Sequence, residues 1–149
     1  MEFRVLGPLE VVEDGRRLAI QTGRQRALLA LLVINANRAV SADRIIDELW
    51  GDDGPESGAK AVAFHVSKLR DVLEPDRRRT GSNGVLATDP AGYVLRVGSD
   101  QVDAARFEHL CAEGRARADD DPVAALRYSQ PWVGGTSGEW TYILTVTVR

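Results

Sequence analysis

Several features that define other protein classes are missing from this sequence of 149 residues. It has one cysteine, Cys111, so it can form no internal disulfide bond and has no cysteine cluster for a metal. Its longest apolar run, residues 27–34, is far shorter than the roughly 20 residues of a membrane-spanning helix. The N-terminus lacks a basic region followed by an apolar stretch, so we expect no secretory signal. These absences predict a cytoplasmic protein with no metal or cofactor and no membrane partner.

Motifs for catalysis are also missing. There is no glycine-rich phosphate loop after a strand, no G-x-S-x-G, and no close carboxylate pair in a pocket-forming context. His65 lies next to apolar helix positions and is expected to be a partly buried helix residue. His109 and Cys111 are two residues apart on a helix and therefore point to different faces. We expect no enzymatic activity and neither catalytic nor metal-binding residues.

The net charge of −3 hides blocks of opposite sign. Residues 16–38 contain five cations and no acid, and residues 43–56 contain six acids against one arginine. Residues 57–79 contain six cations against three acids, and residues 100–121 contain seven acids against three arginines. In a folded domain, such blocks can separate into a basic face with acidic flanks, and a basic face attracts a phosphate backbone. Solvated charge without a partner is the alternative.

The order of predicted elements indicates one small domain. The first 20 residues alternate as strands that turn at Asp14-Gly15, which predicts an opening antiparallel sheet. Three helical segments follow: GRQRALLALLVINANR, SADRIIDELW with Ser41 as N-cap and Gly51 as stop, and residues 57–74. The strands VLAT and YVLRV then flank the turn of residues 89–92 and predict a β-hairpin.

The third helix has two different faces. At 100° per residue, the apolar side chains that share a narrow arc are Val62, Val66, Leu69 and Leu73. The residues on the opposite arc are Ser57, Lys60, Phe64, Ser67, Lys68 and Asp71. Because a phenyl ring facing water between two lysines needs a partner, this outer face indicates contact with a DNA groove.

Strands, three helices and a terminal hairpin predict an α+β winged helix-turn-helix: an N-terminal antiparallel β-sheet, three helices and a C-terminal β-hairpin wing, followed by a partial helical segment. The blocks FRVLGPLEV, GRQRALLALL, VSADRIIDELWG, AVAFHVSKLRDVL and AGYVLRV occur in that order. Together they resemble the Streptomyces antibiotic regulatory protein family, whose DNA-binding domain is of the OmpR type. Residues 103–127 resemble the start of the helical bacterial transcriptional activation domain that follows in that family.

This resemblance implies three segments. Residues 1–98 are the OmpR-type winged-helix DNA-binding domain, and residues 99–128 are a truncated start of the activation domain. Residues 129–149 depart from the family and form an atypical tail, in which the alternation from Trp140 to Val148 predicts a strand that could pair with a sheet edge or a second chain. The tail can be natural, truncated or frame-shifted.

The resemblance also implies the residues that face DNA. Those on the recognition helix are Lys60, Ala63, Phe64, Ser67 and Lys68. Arg70 lies toward the flank, where it contacts phosphate or an acidic neighbour. The wing offers Thr88 and Tyr93, and the start of the first helix aims Arg24 and Gln25, with free N–H groups, at a phosphate. In the family, the loop before the recognition helix touches the RNA polymerase σ subunit, and the matching acidic residues here are Asp52, Asp53 and Glu56.

The function that follows is sequence-specific double-stranded DNA binding, on direct repeats, by a bacterial transcriptional activator. It would recruit RNA polymerase to genes of secondary-metabolite biosynthesis, and two copies could bind the DNA as a homodimer. The alternative is a winged helix that binds a protein and not DNA. DNA binding must weaken steeply with salt, whereas an apolar protein contact should not, so salt dependence separates the two.

Overall fold

A computed structural model describes residues 1–75 and 84–118, with side chains as far as residue 116. The chain divides into two units, Met1–Arg106 and Phe107–Arg149. The predicted tail, residues 129–149, and residues 119–128 of the predicted activation-domain segment lie outside the described residues. No helix in the described parts of the chain is long and apolar enough to cross a membrane.

The first unit opens with the predicted antiparallel sheet. Its strands β1 (Glu2–Arg4), β2 (Glu10–Glu13) and β3 (Arg16–Arg17) follow one another in space as in sequence. Asp14 and Gly15 both have positive φ, +49° and +76°, which is the backbone of a tight hairpin turn whose twist matches the flanking strands. Phe3 and Val11, paired across β1 and β2, are buried, and this fixes which face of the sheet meets the core.

Three helices follow, as predicted: α1 (Gly23–Ile34), α2 (Ala42–Trp50) and α3 (Gly58–Leu73). Ser41 is the N-cap of α2, and its Oγ accepts the backbone N–H of Arg44 at 3.2 Å. Gly51 ends α2 with a φ of +57°, a conformation that favours glycine, and begins a 3-10 turn, Gly51–Asp53.

The hydrophobic core lies between the helices, the first sheet and the hairpin. The predicted inner face of α3 is confirmed, because Val62, Val66, Leu69 and Leu73 are all at most 2% exposed. They pack with buried residues of the other elements, among them Leu28, Leu29, Leu32, Ile45, Leu86 and Leu95. Full burial of each such side chain contributes about 1.5–3 kcal/mol before the entropy cost of ordering it. The core therefore fixes which face of α3 remains outside.

The C-terminal hairpin is formed by β4 (Leu86–Asp89) and β5 (Gly92–Leu95). Its inner strand β5 is tied to the segment before α2, since Val40 and Tyr93 exchange two backbone hydrogen bonds of 2.9 Å. Gly92 has a φ of +140° and lies so close to the backbone of Val40 that a Cβ there would overlap it. Glycine is therefore required at this position for the hairpin to approach the helices.

Asn37 provides a second tie between the helices and the hairpin. Its backbone φ is +62°. Its side-chain amide forms two hydrogen bonds with the backbone of Val97: Nδ2 donates to the Val97 carbonyl at 2.8 Å, and Oδ1 accepts the Val97 N–H at 3.1 Å. Its backbone N–H donates to the Leu95 carbonyl at 2.8 Å. Because asparagine tolerates the left-handed region, this short connection can turn and bind the hairpin at once.

The chain continues to pack on the first sheet beyond residue 98. After a 3-10 turn (Ser99–Gln101), Val102 forms a bridge with Phe3, and helix α4 (Asp103–Ala118) begins. The buried carboxylate of Asp103 accepts the backbone N–H groups of Val5 at 2.8 Å and Leu6 at 3.2 Å. The first unit accordingly runs to Arg106, so the boundary expected at residue 98 lies inside it.

Candidate nucleic-acid interface

The outer face of α3 is exposed as predicted. The residues from this face that were expected to meet DNA are all exposed: Lys60, Ala63, Phe64, Ser67 and Lys68. Phe64 is 57% exposed, and Ile34 is the one other large apolar side chain that is classed as exposed in the described ranges. The face therefore combines cations, a hydroxyl and an uncovered aromatic ring, the groups that contact phosphates and base edges.

Lys68 and Phe64 form a unit on this face. The Lys68 Nζ lies 5.8 Å from the centroid of the Phe64 ring and 3.9 Å from Oδ2 of Asp71. They are four residues apart on one side of the helix, which brings them together. An exposed cation–π contact contributes about 0.5–1 kcal/mol and an exposed ion pair about 0–1 kcal/mol. Neither contact is strong enough to keep the ammonium group from a phosphate or a guanine.

The structure brings Arg24 to the recognition helix through Trp50. The Arg24 guanidinium lies 5.2 Å from the Trp50 ring centroid, and the Trp50 ring lies 5.8 Å from that of His65 on α3. The end of α2 thus connects the start of α1 with α3. The contact of Arg24 with Trp50 was not predicted, because no spacing in the sequence relates residue 50 to residue 24.

His65 is a packed helix residue, as expected. Its ring lies edge-on to Phe64 at 5.5 Å, and its Nδ1 is buried with no hydrogen-bond partner in the described part of the chain. Burial, and then the positive charge of Arg24, hold the pKa of His65 below its ordinary value of 6.5. Both effects favour the neutral form of the imidazole, which packs beneath the outer face of α3.

Gln25 differs from the expectation of free N–H groups at the start of α1. Its backbone N–H donates to Oγ1 of Thr22 at 3.2 Å, and its side-chain Oε1 accepts the Thr22 N–H at 3.3 Å. This reciprocal pair is a capping box, which satisfies both donors within the chain. The Gln25 side chain is also buried, so it is turned away from any ligand, whereas the neighbouring Arg24 is exposed.

Arg70 faces the hairpin. Its Nε donates to the backbone carbonyl of Leu86 at 2.9 Å, and its Nη2 donates to Oγ1 of Thr88 at 2.7 Å. Thr88 is exposed, and Tyr93, its cross-strand neighbour, is partly buried against the core. The two predicted wing residues are thus brought together on the hairpin, with Thr88 linked to α3.

The three acidic residues predicted to contact polymerase lie between α2 and α3. Asp52 and Asp53 are in the 3-10 turn, Glu56 follows it, and all three are exposed. Like charges clustered on one short loop repel a phosphate backbone and favour a basic partner.

An exposed helix that carries lysines, preceded by a second helix and followed by a hairpin fixed beside it, defines a winged-helix DNA-binding domain. Residues 16–95 match the family described as "Transcriptional regulatory protein, C terminal", and the chain belongs to this family of transcriptional regulators. The OmpR-type fold predicted from the sequence is confirmed.

Comparison with individual proteins agrees. The chain is 33% identical over 126 residues to the transcriptional regulator RedD of Streptomyces coelicolor, with 85% of this chain and 36% of RedD covered. It is 37% identical over 123 residues to the regulatory protein AfsR of the same organism, with 81% of this chain and 12% of AfsR covered. These similarities confirm the relation to the Streptomyces antibiotic regulatory proteins.

A solved structure of EmbR from Mycobacterium tuberculosis, in complex with a phosphopeptide, is similar with a TM-score of 0.72 and 36% identity. The match covers 78% of this chain and 30% of EmbR. The chain therefore spans less than half of the length of each of these three relatives.

Proposed function

We propose that this chain binds double-stranded DNA sequence-specifically, with α3 in the major groove and the β4–β5 hairpin against the adjacent backbone or minor groove. The observation that carries the proposal is the outer face of α3, where Lys60, Phe64 and Lys68 are all exposed while the inner face is fully packed. A surface helix with no partner would not need an uncovered phenyl ring between two lysines.

The chemistry of each group indicates its part in binding. Lys60 and Lys68 can donate to phosphate oxygens or to guanine O6 and N7, and Phe64 and Ala63 can contact a thymine methyl group. Arg24, at the start of α1 with its guanidinium against Trp50, is exposed and can donate to a phosphate.

The wider role proposed is that of a bacterial transcriptional activator. Its DNA-binding unit would occupy direct repeats, as a homodimer where two copies bind, and its acidic turn would contact the RNA polymerase σ subunit. The relation to Streptomyces antibiotic regulatory proteins supports secondary-metabolite genes as targets. The exposed carboxylates of Asp52, Asp53 and Glu56 support a protein partner at the turn, since DNA would be repelled there.

A salt titration of DNA binding tests the proposal. A duplex selected from a random pool is titrated with the full chain at several salt concentrations. If five to eight phosphates are neutralised, log affinity should fall with log salt with a slope of about −5 to −7. A profile that stays flat would exclude DNA binding and favour the protein-interaction alternative.

Substitution of Lys68 tests the assigned face. Lys68→Ala should weaken binding by about 1–3 kcal/mol, mainly on the preferred sequence if Lys68 reads a base and uniformly if it holds phosphate. The matched control is Arg16→Ala, which removes an exposed cation from β3 at the first sheet and should leave affinity unchanged. Equal effects of the two substitutions would contradict the assignment.

A further inference from the structure

The outer edge of the hairpin is held by two side chains, Arg70 in the last turn of α3 and Glu74 directly after that helix. In the described residues, β4 pairs with β5 on one side only, so the backbone groups on its other side have no strand partner. Glu74 Oε1 accepts the N–H of Leu86 at 2.7 Å, and Arg70 Nε donates to the carbonyl of the same residue at 2.9 Å. Arg70 and Glu74 are four residues apart and share one face of the chain at the end of α3.

A third hydrogen bond extends this connection to the wing surface. The second arm of the Arg70 guanidinium donates to Oγ1 of Thr88 at 2.7 Å. A guanidinium has no acceptor, so the Thr88 oxygen must accept from it. The Thr88 O–H is then left to act as a donor, and because the side chain is exposed, its target is outside the hairpin. A phosphate oxygen, which only accepts, matches such a donor.

We propose that Arg70 is a positioning residue for DNA binding: it fixes the hairpin relative to α3 and orients the Thr88 hydroxyl as a donor to a DNA phosphate, without contacting DNA itself. This inference rests on the proposed function. It assigns to Arg70 a role different from the direct phosphate contact considered from the sequence, because its Nε and Nη2 both donate to the hairpin.

A double-substitution cycle tests whether Thr88 acts through Arg70. Affinity for the selected duplex is measured by fluorescence anisotropy for the full chain and for Thr88→Val, Arg70→Met and the double variant. Thr88→Val should weaken binding about tenfold in the parent, as expected for one hydrogen bond to a charged group. In the Arg70→Met background, Thr88→Val should weaken DNA binding further by less than about twofold, since Arg70 no longer orients the Thr88 hydroxyl. A tenfold effect in both backgrounds would overturn the proposal.

The salt slope separates positioning from direct contact. Removing a cation that neutralises a phosphate makes the slope of log affinity against log salt less steep by about 0.9. If Arg70 does not contact DNA, the Arg70→Met variant should bind more weakly than the parent but show the same slope. A slope reduced by about 0.9 would show that Arg70 contacts phosphate and would overturn the proposal. Lysine keeps the charge of arginine but lacks its planar guanidinium, so the Arg70→Lys variant should still bind DNA weakly. Full DNA affinity in this variant would also overturn the proposal.

Conservative substitution and folding controls complete the test. Thr88→Ser keeps the hydroxyl and should restore affinity, and failure to do so counts against the proposal. Circular dichroism melting checks that each variant folds. If Arg70→Met does not fold, the cycle is repeated with Arg70→Lys. If the parent chain selects no duplex at all, the proposed function fails together with this inference; if the parent binds and Lys68→Ala weakens it while the cycle is additive, only this inference fails.

Discussion

Phe64 illustrates how an exposed side chain separates binding from stability. Because Phe64 is already 57% exposed and its contact with Lys68 contributes about 0.5–1 kcal/mol, Phe64→Ala should change the free energy of unfolding by no more than about 1 kcal/mol. Affinity for the preferred duplex should fall, since a contact with a thymine methyl would be lost. The matched control is Ile34→Ala, which removes the other exposed large apolar side chain, on α1, and should affect neither quantity. Equal loss of DNA affinity in both variants would contradict the assigned role.

His65 makes stability depend on pH in a predictable direction. Its pKa is lowered in the folded chain and is near 6.5 when unfolded, so protons bind the unfolded state more readily. The contribution of neutral His65 to the free energy of unfolding is fully present above pH 6.5, and it is lost as the pH falls through the pKa of His65 in the folded chain. Arg24→Gln should raise the pKa of His65, because it removes the nearby positive charge that lowers it. NMR titration of the imidazole measures this directly, and a pKa unchanged by Arg24→Gln would exclude the coupling.

The sequence predicted the exposure of side chains well where exposure depends on one helix. The exposed set from Lys60 to Lys68 follows from 3.6-residue periodicity alone. Gln25 was misjudged because its N–H groups could serve a ligand or a cap, and only the backbone at Thr22 decides between them. Arg70 could not be assigned because its partners, Leu86 and Thr88, are 16 and 18 residues away.

At the scale of elements, the acidic 3-10 turn should be separable from DNA binding. Replacing Asp52 and Asp53 by Asn removes two exposed negative charges, so operator affinity should stay within a few tenths of a kcal/mol or rise slightly. Transcription from a bound promoter should fall if the turn contacts polymerase. Reconstituted transcription at saturating protein provides the measurement. Full transcription by the doubly substituted chain would refute a polymerase contact at this turn.

The elements themselves were predictable because each has a local signal. Ser41 caps α2, Gly51 ends it, and Asp14-Gly15 turns the first hairpin, all as predicted. The bridge between Val40 and Tyr93 was not predicted, because the two residues are 53 positions apart and no local sequence pattern indicates that their backbones pair. Strand pairing over such distances is determined by the whole core.

At the scale of the whole molecule, the first unit should depend on residues beyond 98. Asp103 is buried and accepts the backbone N–H groups of Val5 and Leu6, directly after β1, so Asp103→Ala leaves both donors unpaired. The free energy of unfolding should fall by about 2–4 kcal/mol. Asp103→Asn, which keeps one acceptor oxygen, should cost less. Chemical denaturation of the full chain measures both, and an Asp103→Ala variant as stable as the parent would show that the first unit does not need this contact.

This dependence was not visible in the sequence for a physical reason. The resemblance to the activation domain assigns residues 99–128 to a following segment, yet Val102 pairs with Phe3 of β1 and Asp103 accepts the N–H of Val5, directly after that strand. A helix can belong to one sequence family while its first turn completes the packing of the preceding domain. Family boundaries follow sequence, whereas folding units follow burial and hydrogen bonding.

The hairpin is held along both edges: β5 by Val40 and Asn37, and β4 by Arg70 and Glu74. Because both strands of the hairpin are held in this way, we expect that the hairpin does not need to become ordered when DNA binds. Calorimetry should then give a small negative heat-capacity change, the size expected for rigid docking of the buried surface, without the additional decrease that accompanies folding coupled to binding. A much larger decrease would show that the wing becomes ordered only on the DNA.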